Sequence, residues 1–225
     1  MSTDWEEIIA ANSSDDGRYL RTDEFEDVLA SLKLLLDCLE KVSEQPHLWK
    51  WSILSAHSAL QGACVCILTR TDGGGALSKD SEKLLLEYHN LSTQKAIVKA
   101  HNAEWILGKV EYPQKEEIAA LPELLRRLPT EIRIDFPHKN QEPKDERTKD
   151  FVTLHALRNQ FTHFPSVGWS IEIADLPRIL RRSVILVEQI TQHKDYRRWN
   201  RFNDIDVGSV MGRLLVTLDG LDKHD

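Results

Sequence analysis

The chain has few cysteines and no long hydrophobic run, and each shortage excludes a class of protein. Its three cysteines are Cys38, Cys64 and Cys66. An odd number, with two of them one residue apart on a predicted helix, fits neither a disulfide framework nor a zinc ribbon, so we expect small buried thiols. No run of about 18 apolar residues is present, so no membrane span is expected. The N-terminus lacks a basic start and an apolar run, so no secretory signal is expected, and we predict a cytoplasmic protein.

The acidic charge is concentrated near the N-terminus. The net charge is −7, and residues 1–30 alone sum to −7, from nine acids against Arg18 and Arg21, so the remaining 195 residues are neutral. Residues 178–201 show the reverse imbalance, with seven bases and two acids that sum to +5. A protein that coats nucleic acid non-specifically is basic throughout, so this chain is expected to bind RNA only locally.

Apolar residues recur at helical spacing along nearly the whole chain, which predicts an all-α fold. The predicted helices span about residues 5–11, 22–43, 46–70, 84–107, 122–128, 144–164, 175–192 and 204–221. Thr22 and Asp175 are the expected N-caps of the helices that they begin. Residues 166–174 alternate between polar and apolar, which favours an extended segment. The run Gly73-Gly74-Gly75 lacks the following Gly-Lys-Ser/Thr of a phosphate-binding loop, so we interpret it as a flexible connection.

The segment Arg158-Asn159-Gln160-Phe161-Thr162-His163 places a cation, an amide and an imidazole at the end of one amphipathic helix. Phe164-Pro165 follows, so the helix is expected to end near His163. Two opposite faces are predicted, an apolar one of Leu154, Leu157, Phe161 and Phe164 and a polar one of His155, Asn159 and His163. Arg158 and His163 are about 140° apart around the helix, which is too divergent to grip one small ligand. We therefore expect two copies, related by a two-fold axis, to line one cleft.

This segment has the chemistry to cleave RNA without a metal, since RNA supplies its own 2′-hydroxyl nucleophile. Imidazole changes charge near neutral pH, so His163 suits proton transfer. Arg158 can offer a bidentate fork to phosphate oxygens, and Asn159 can orient the imidazole or bind a ribose or phosphate oxygen. The alternative is structural. His163 at a helix C-terminus interacts favourably with the helix dipole, and Arg158 can pair with an acid on a neighbouring helix.

The remaining histidines do not form a metal site. His155 is interpreted as a surface or interface residue rather than a catalytic one, and His57 is placed on the polar side of its predicted helix. No two histidines at i, i+4 have a nearby carboxylate in ligand spacing, so neither a metal hydrolase nor any cofactor is expected.

A further RNA-binding surface is predicted from basic residues that lie near aromatic ones. Aromatic rings stack on unpaired bases while cations follow the phosphates. The candidate residues are Arg178, Arg181, Arg182, Arg197, Arg198, Trp199 and Arg201, with Tyr196 and Phe202 interleaved. The alternative is a solvated face that pairs with the acidic N-terminus.

The hexapeptide resembles the motif of the HEPN superfamily, which consists of Arg, a polar residue, about three further residues and His. Residues 49–62 resemble the first core helix of uncharacterised bacterial members, and residues 163–170 resemble the turn that follows their motif. We therefore expect an acidic extension at residues 1–21 and a HEPN-like domain at residues 22–225, with its core at about 46–192.

The resemblance implies a helical bundle that dimerises through the motif helices and acts as a metal-independent endoribonuclease in toxin or antiviral systems. Arg158, Asn159 and His163 inherit the catalytic roles, RNA is the implied substrate, and an antitoxin or other regulatory protein is an implied partner. Members controlled by adenylylation carry Tyr two residues after the motif His, where this chain has Pro165, so that control is not expected. The alternative is a non-catalytic HEPN-like dimer that binds a nucleotide or a partner protein.

Overall fold

Eight helices are present in the part of the chain that the computed structural model describes, which comprises residues 23–100, 112–113, 116–163, 170–197 and 207–222. They are α1 (Glu24–Leu39), α2 (Leu48–Leu68), α3 (Lys79–Ala100), α4 (Leu121–Arg127), α5 (Glu146–Thr162), α6 (Leu176–Gln192), α7 (Lys194–Arg197) and α8 (Val207–Leu221). Over these residues no strand forms, and one isolated antiparallel bridge joins Leu77 to Ile118. The prediction of an all-α fold is confirmed for the described residues.

The central helix of the bundle is α2. Helix α1 lies along it, α4, α5 and α6 pack around it, and α8 contacts α1 and α6. Gly62 lies at a close approach of α1 and α2, because a Cβ there would be 2.9 Å from Val28 Cγ2. By length and composition α2 is able to cross a membrane, but 61% of its apolar window is buried inside the bundle. Core packing therefore accounts for its hydropathy.

Acidic side chains cap the helices that carry the site described below. Asp23 caps α1 by accepting a hydrogen bond from the Glu26 N–H at 2.9 Å. The N-cap is therefore Asp23, one residue after the predicted Thr22, which corrects that prediction. Asp145 caps α5 by accepting from the Thr148 N–H at 2.6 Å. A carboxylate at this position also suits the positive end of the helix dipole.

The other helix boundaries lie close to those predicted. Helix α3 begins at Lys79, earlier than the predicted residue 84, and residues 101–107 of that prediction lie outside the described part. Helix α6 follows Asp175 as predicted, although the Asp175 side chain makes no capping hydrogen bond. The short helix α7 was not predicted. Residues 170–173 have no regular secondary structure, while the predicted helix at 5–11 and residues 164–169 lie outside the described residues.

The connection between α2 and α3 is a hydrogen-bonded turn, whereas the sequence suggested a flexible connection. Asp72 Oδ1 accepts from the Gly74 N–H at 2.9 Å, and this bond, together with the neighbouring Arg70 guanidinium, lowers the pKa of the Asp72 carboxyl. Gly75 has a φ of +94°, and a Cβ there would lie 2.0 Å from the Leu68 carbonyl oxygen. Glycine is therefore required at this position by both the backbone conformation and the available space.

Candidate functional site

Helix α5 presents the motif residues because its other face is anchored in the core. Phe151 and Leu154 are fully buried, and Leu157 and Phe161 are partly buried against the same cluster. The apolar face predicted from the sequence is thus confirmed for its described members, while Phe164 lies outside the described residues. Since this face points inwards, His155 is directed towards α2, where it contacts His57, and His163 is exposed.

His163 is the C-cap of α5 and follows its last residue, Thr162, in agreement with the helix end predicted from the following Phe-Pro. Its backbone N–H donates to the Asn159 carbonyl at 3.0 Å, its φ and ψ of −109° and 27° leave the helical range, and its side chain is exposed. An exposed imidazole at a helix end is accessible both to a ligand and to a second copy of the chain.

Arg158 is half-buried and lacks a carboxylate partner within the described residues. Its Nη1 donates to Asn159 Oδ1 at 2.9 Å. Eight other arginines of the described part lie within 4.0 Å of a carboxylate oxygen, whereas Arg147 does not. The eight are Arg70, Arg126, Arg127, Arg133, Arg178, Arg181, Arg182 and Arg213. The structural role considered for Arg158, pairing with an acid on a neighbouring helix, is therefore not seen in these residues.

Asn159 connects Arg158 to two histidines. Its Nδ2 lies 3.2 Å from His155 Nε2, and His155 Nδ1 lies 3.1 Å from His57 Nε2 on α2. The two imidazole rings meet edge to edge through this contact, with centroids 5.4 Å apart and an interplanar angle of 25°. The His155 ring lies nearly perpendicular to the Phe136 ring, with centroids 6.0 Å apart. The Asn159 side chain thus binds Arg158 and His155 rather than His163.

His57 is buried, which corrects its predicted place on the polar side of a helix. Its exposed fraction is 3%. Burial is the main cause that lowers its pKa to about 3, and the nearby His155 and Arg158 lower it further. Burial, followed by the Arg158 charge, also lowers the pKa of His155. His155 is half-buried against its own chain and is not a freely exposed surface residue.

A cleft of about 710 Å³ opens beside Arg158. Its lining also includes His57 and three carboxylates from the start of α1, Asp23, Glu24 and Asp27. The volume is within the usual range for small-molecule sites, about 300–1,000 Å³. The cleft therefore combines one guanidinium with three carboxylates. The sequence pattern did not predict that residues of α1 and α5 line the same cleft.

Three of the predicted RNA-binding arginines are engaged within the chain. Arg178 binds Asp150 through Nη1, and Arg182 Nε lies 2.5 Å from the other oxygen of the same carboxylate. Arg181 Nε donates to Asp219 Oδ1 at 2.7 Å. Asp150 is 2% exposed, so its two arginine partners balance a charge that would otherwise be buried alone.

The remaining predicted RNA-binding residues are mostly outside the described part. Arg197 is the last residue of α7, and Arg198, Trp199 and Arg201 are not described. Tyr196, proposed as an interleaved stacking residue, is 3% exposed and packs against Phe25 at a centroid distance of 5.7 Å. Its ring belongs to the core, so that part of the prediction is wrong.

The predicted small buried thiols are confirmed for two of the three cysteines. Cys38 and Cys64 are buried free thiols, and Cys66 is half-buried. Burial raises the pKa of the Cys66 thiol to about 12, which keeps the thiol unreactive. Within the described residues no group of three or more His, Cys, Asp or Glu side chains is arranged to hold a metal ion.

Comparison with known proteins does not assign the chain to a family: no family model matches it, and no curated protein or solved structure does so.

Proposed function

We propose that the chain is a metal-independent endoribonuclease of the toxin or phage-defence type, which acts as a cytoplasmic homodimer and is controlled by an antitoxin or other regulatory protein. The observation that carries the proposal is that two suitable side chains lie five residues apart at the end of α5. Arg158 is half-buried and has no carboxylate partner within the described residues, and His163 is exposed. A guanidinium that is held in place but not neutralised is suited to bind an anion.

The proposed reaction is attack of the RNA 2′-oxygen on the adjacent phosphorus. The P–O bond to the 5′-oxygen breaks, which leaves a cyclic 2′,3′-phosphate and a 5′-hydroxyl. One His163 accepts the 2′-hydroxyl proton, and the His163 of the second subunit donates a proton to the leaving oxygen. Arg158 stabilises the charge that develops on the phosphorane oxygens. Asn159 contributes by holding Arg158, in accordance with their hydrogen bond of 2.9 Å.

The test is incubation of labelled RNA with the purified protein in EDTA. We expect His163→Ala and Arg158→Ala each to reduce the cleavage rate at least about 100-fold. A positioned acid–base group typically contributes about 10²–10⁴-fold, and a donor that stabilises developing negative charge about 10²–10³-fold. Helical content and oligomeric mass should stay unchanged. His138→Ala and Arg213→Ala are matched controls, since both side chains are exposed and neither lines the cleft. A wild-type protein that cuts no RNA over a broad range of salt and pH contradicts the proposal.

A second candidate is a non-catalytic dimer that binds a nucleotide or a partner protein through the same cleft. The carboxylates of Asp23, Glu24 and Asp27 favour the partner protein over the nucleotide, because they share the cleft with Arg158 and repel a phosphate group. A ligand that carries both a cationic and an anionic group suits such a lining. Binding of RNA or nucleotide that depends on Arg158, without any cleavage product, supports this candidate over the nuclease.

A further inference from the structure

Four side chains form a continuous hydrogen-bonded chain from the cleft into the core. Arg158 contacts Asn159 at 2.9 Å, Asn159 contacts His155 at 3.2 Å, and His155 contacts His57 at 3.1 Å. The first three residues belong to α5 and the last to α2, 98 positions away from His155. The chain therefore links the motif to the central helix of the bundle.

The chemistry of these groups determines the direction of every hydrogen bond. A guanidinium has only donors, so the Asn159 carbonyl oxygen must face Arg158. The Asn159 NH₂ group then faces His155 Nε2, which has to be an acceptor. The proton of a neutral His155 is consequently on Nδ1, from which it is donated to His57 Nε2. His57 in turn carries its own proton on Nδ1.

An additional proton or a rotated amide disrupts this arrangement. If His155 carries a proton on Nε2, that N–H faces the NH₂ group of Asn159. If the amide rotates by 180° to accept it, the NH₂ group faces the Arg158 guanidinium instead. In each case two N–H donors face each other in a partly buried place and one hydrogen bond is lost. The loss raises the free energy of the folded state when no water replaces the acceptor.

We propose that His155 and His57 are positioning residues of the Arg158 site. Together they hold the Asn159 amide in the orientation that leaves its carbonyl oxygen for Arg158, and so direct the remaining guanidinium N–H groups into the cleft. This inference rests on the proposed function only for the identity of the ligand. The ring of Phe136 against His155 restricts the same imidazole by packing.

The sharpest test is Asn159→Asp, which changes one donor group into an acceptor. The introduced carboxylate accepts from Arg158 as before but cannot donate to His155, so His155 has to move its proton to Nε2. Its Nδ1 then becomes an acceptor, and His57 has to donate from Nε2. We expect the ring ¹⁵N shifts at pH 8 to report Nδ1–H tautomers for both histidines in the wild type and Nε2–H tautomers for both in Asn159→Asp.

Assignment of the two rings uses His57→Gln and His155→Gln, each of which removes one set of signals, while the exposed His138 provides an unaffected reference. A His57 ring that does not respond to Asn159→Asp overturns the proposal, because the chain would not transmit the change. Nε2–H tautomers in the wild type overturn it as well. This measurement requires no RNA, so its result is independent of whether the chain is a nuclease.

A functional comparison uses His57→Gln and His57→Leu. Gln retains an acceptor for the His155 N–H, whereas Leu leaves that donor unpaired. We expect His57→Leu to bind a 2′-O-methyl oligoribonucleotide about five- to tenfold more weakly than His57→Gln, as for the loss of one hydrogen bond. Equal affinities overturn the positioning role. If neither the wild type nor the variants bind or cut RNA, the proposed function fails and the tautomer measurement alone decides the role of the two histidines.

Discussion

His57 is a titratable side chain that its surroundings hold neutral. Burial, followed by His155 and Arg158, lowers its pKa from the ordinary 6.5 to about 3. The carboxylates of Asp23 and Asp27 line the same cleft but do not reverse this shift. Because the unfolded chain binds a proton more readily than the folded one, the contribution of His57 to stability is complete above pH 6.5. It declines as the pH falls from 6.5 towards 3.

We predict that His57→Gln makes the protein less sensitive to mild acid. Between pH 7 and pH 5 the free energy of unfolding of the wild type should fall by about 2 kcal/mol more than that of the variant, since one pH unit corresponds to about 1.4 kcal/mol for each group that titrates only in the unfolded state. Denaturant titration at the two pH values measures the difference. His138→Gln, at an exposed site, should behave as the wild type. If the free energies of unfolding of the wild type and His57→Gln depend on pH in the same way, His57 is not held neutral by the fold.

At the scale of elements, the turn between α2 and α3 depends on one glycine. Gly75 combines a φ of +94° with a contact that leaves no space for a Cβ. The Arg127 guanidinium from α4 donates to the carbonyl oxygens of Gly75 and Leu77 at 3.0 and 2.7 Å. The turn, the start of α3 and the short α4 are therefore held as one unit.

Gly75→Ala is expected to lower the free energy of unfolding by at least about 2 kcal/mol, because the left-handed backbone alone costs an L-residue roughly 1–2 kcal/mol and the Cβ also meets the Leu68 carbonyl. Gly212→Ala in α8 is the matched control. No atom lies within 4 Å of a Cβ there, so the change should stabilise the protein by up to about 1 kcal/mol through helix propensity. Thermal and denaturant unfolding measure the stability of both variants. If Gly75→Ala is as stable as the wild type, the turn can change its conformation to accept a Cβ.

At the scale of the whole molecule, several arginines of the described part pair with carboxylates of other helices. Arg178 and Arg182 balance the buried Asp150, and Arg213 pairs with Glu40 at 2.6 Å across α8 and α1. Arg178 and Arg182 join the consecutive helices α5 and α6, whereas Arg213 reaches a residue 173 positions away. The charges of these three arginines are partly neutralised within the chain, so they contribute less to RNA binding than unpaired arginines would.

The proposed dimer predicts complementation between inactive subunits. If Arg158 and His163 act from different copies at a shared cleft, mixing Arg158→Ala with His163→Ala should give faster RNA cleavage than either variant alone, because a mixed dimer retains one arginine and one histidine across the seam. The rate should stay below that of the wild type, because the mixed dimer lacks the second His163. The two variants should be mixed while partly unfolded and then refolded together, so that their subunits exchange. Each variant treated alone is the control. No regained activity in a mixture proven by mass to contain mixed dimers would exclude a composite site.

The sequence by itself determined the features that depend on local spacing. The 3.6-residue period predicted the helices, and Phe164-Pro165 predicted the end of α5, which the structure places at Thr162. The apolar face of α5 followed from the same period. The candidate residues Arg158, Asn159 and His163 could also be proposed from the sequence, because they are neighbours along one helix.

Only the tertiary structure decided which polar groups share a buried place. His57 lies 98 positions from His155, and its helix carries apolar residues on nearly every side, so periodicity could not show that it faces inwards. The same limit applies to Tyr196, which enters the core, and to Asp150, whose partners belong to α6. Helical spacing predicts which residues share a face of a single helix. Hydrogen bonds between helices depend instead on how the helices pack against one another.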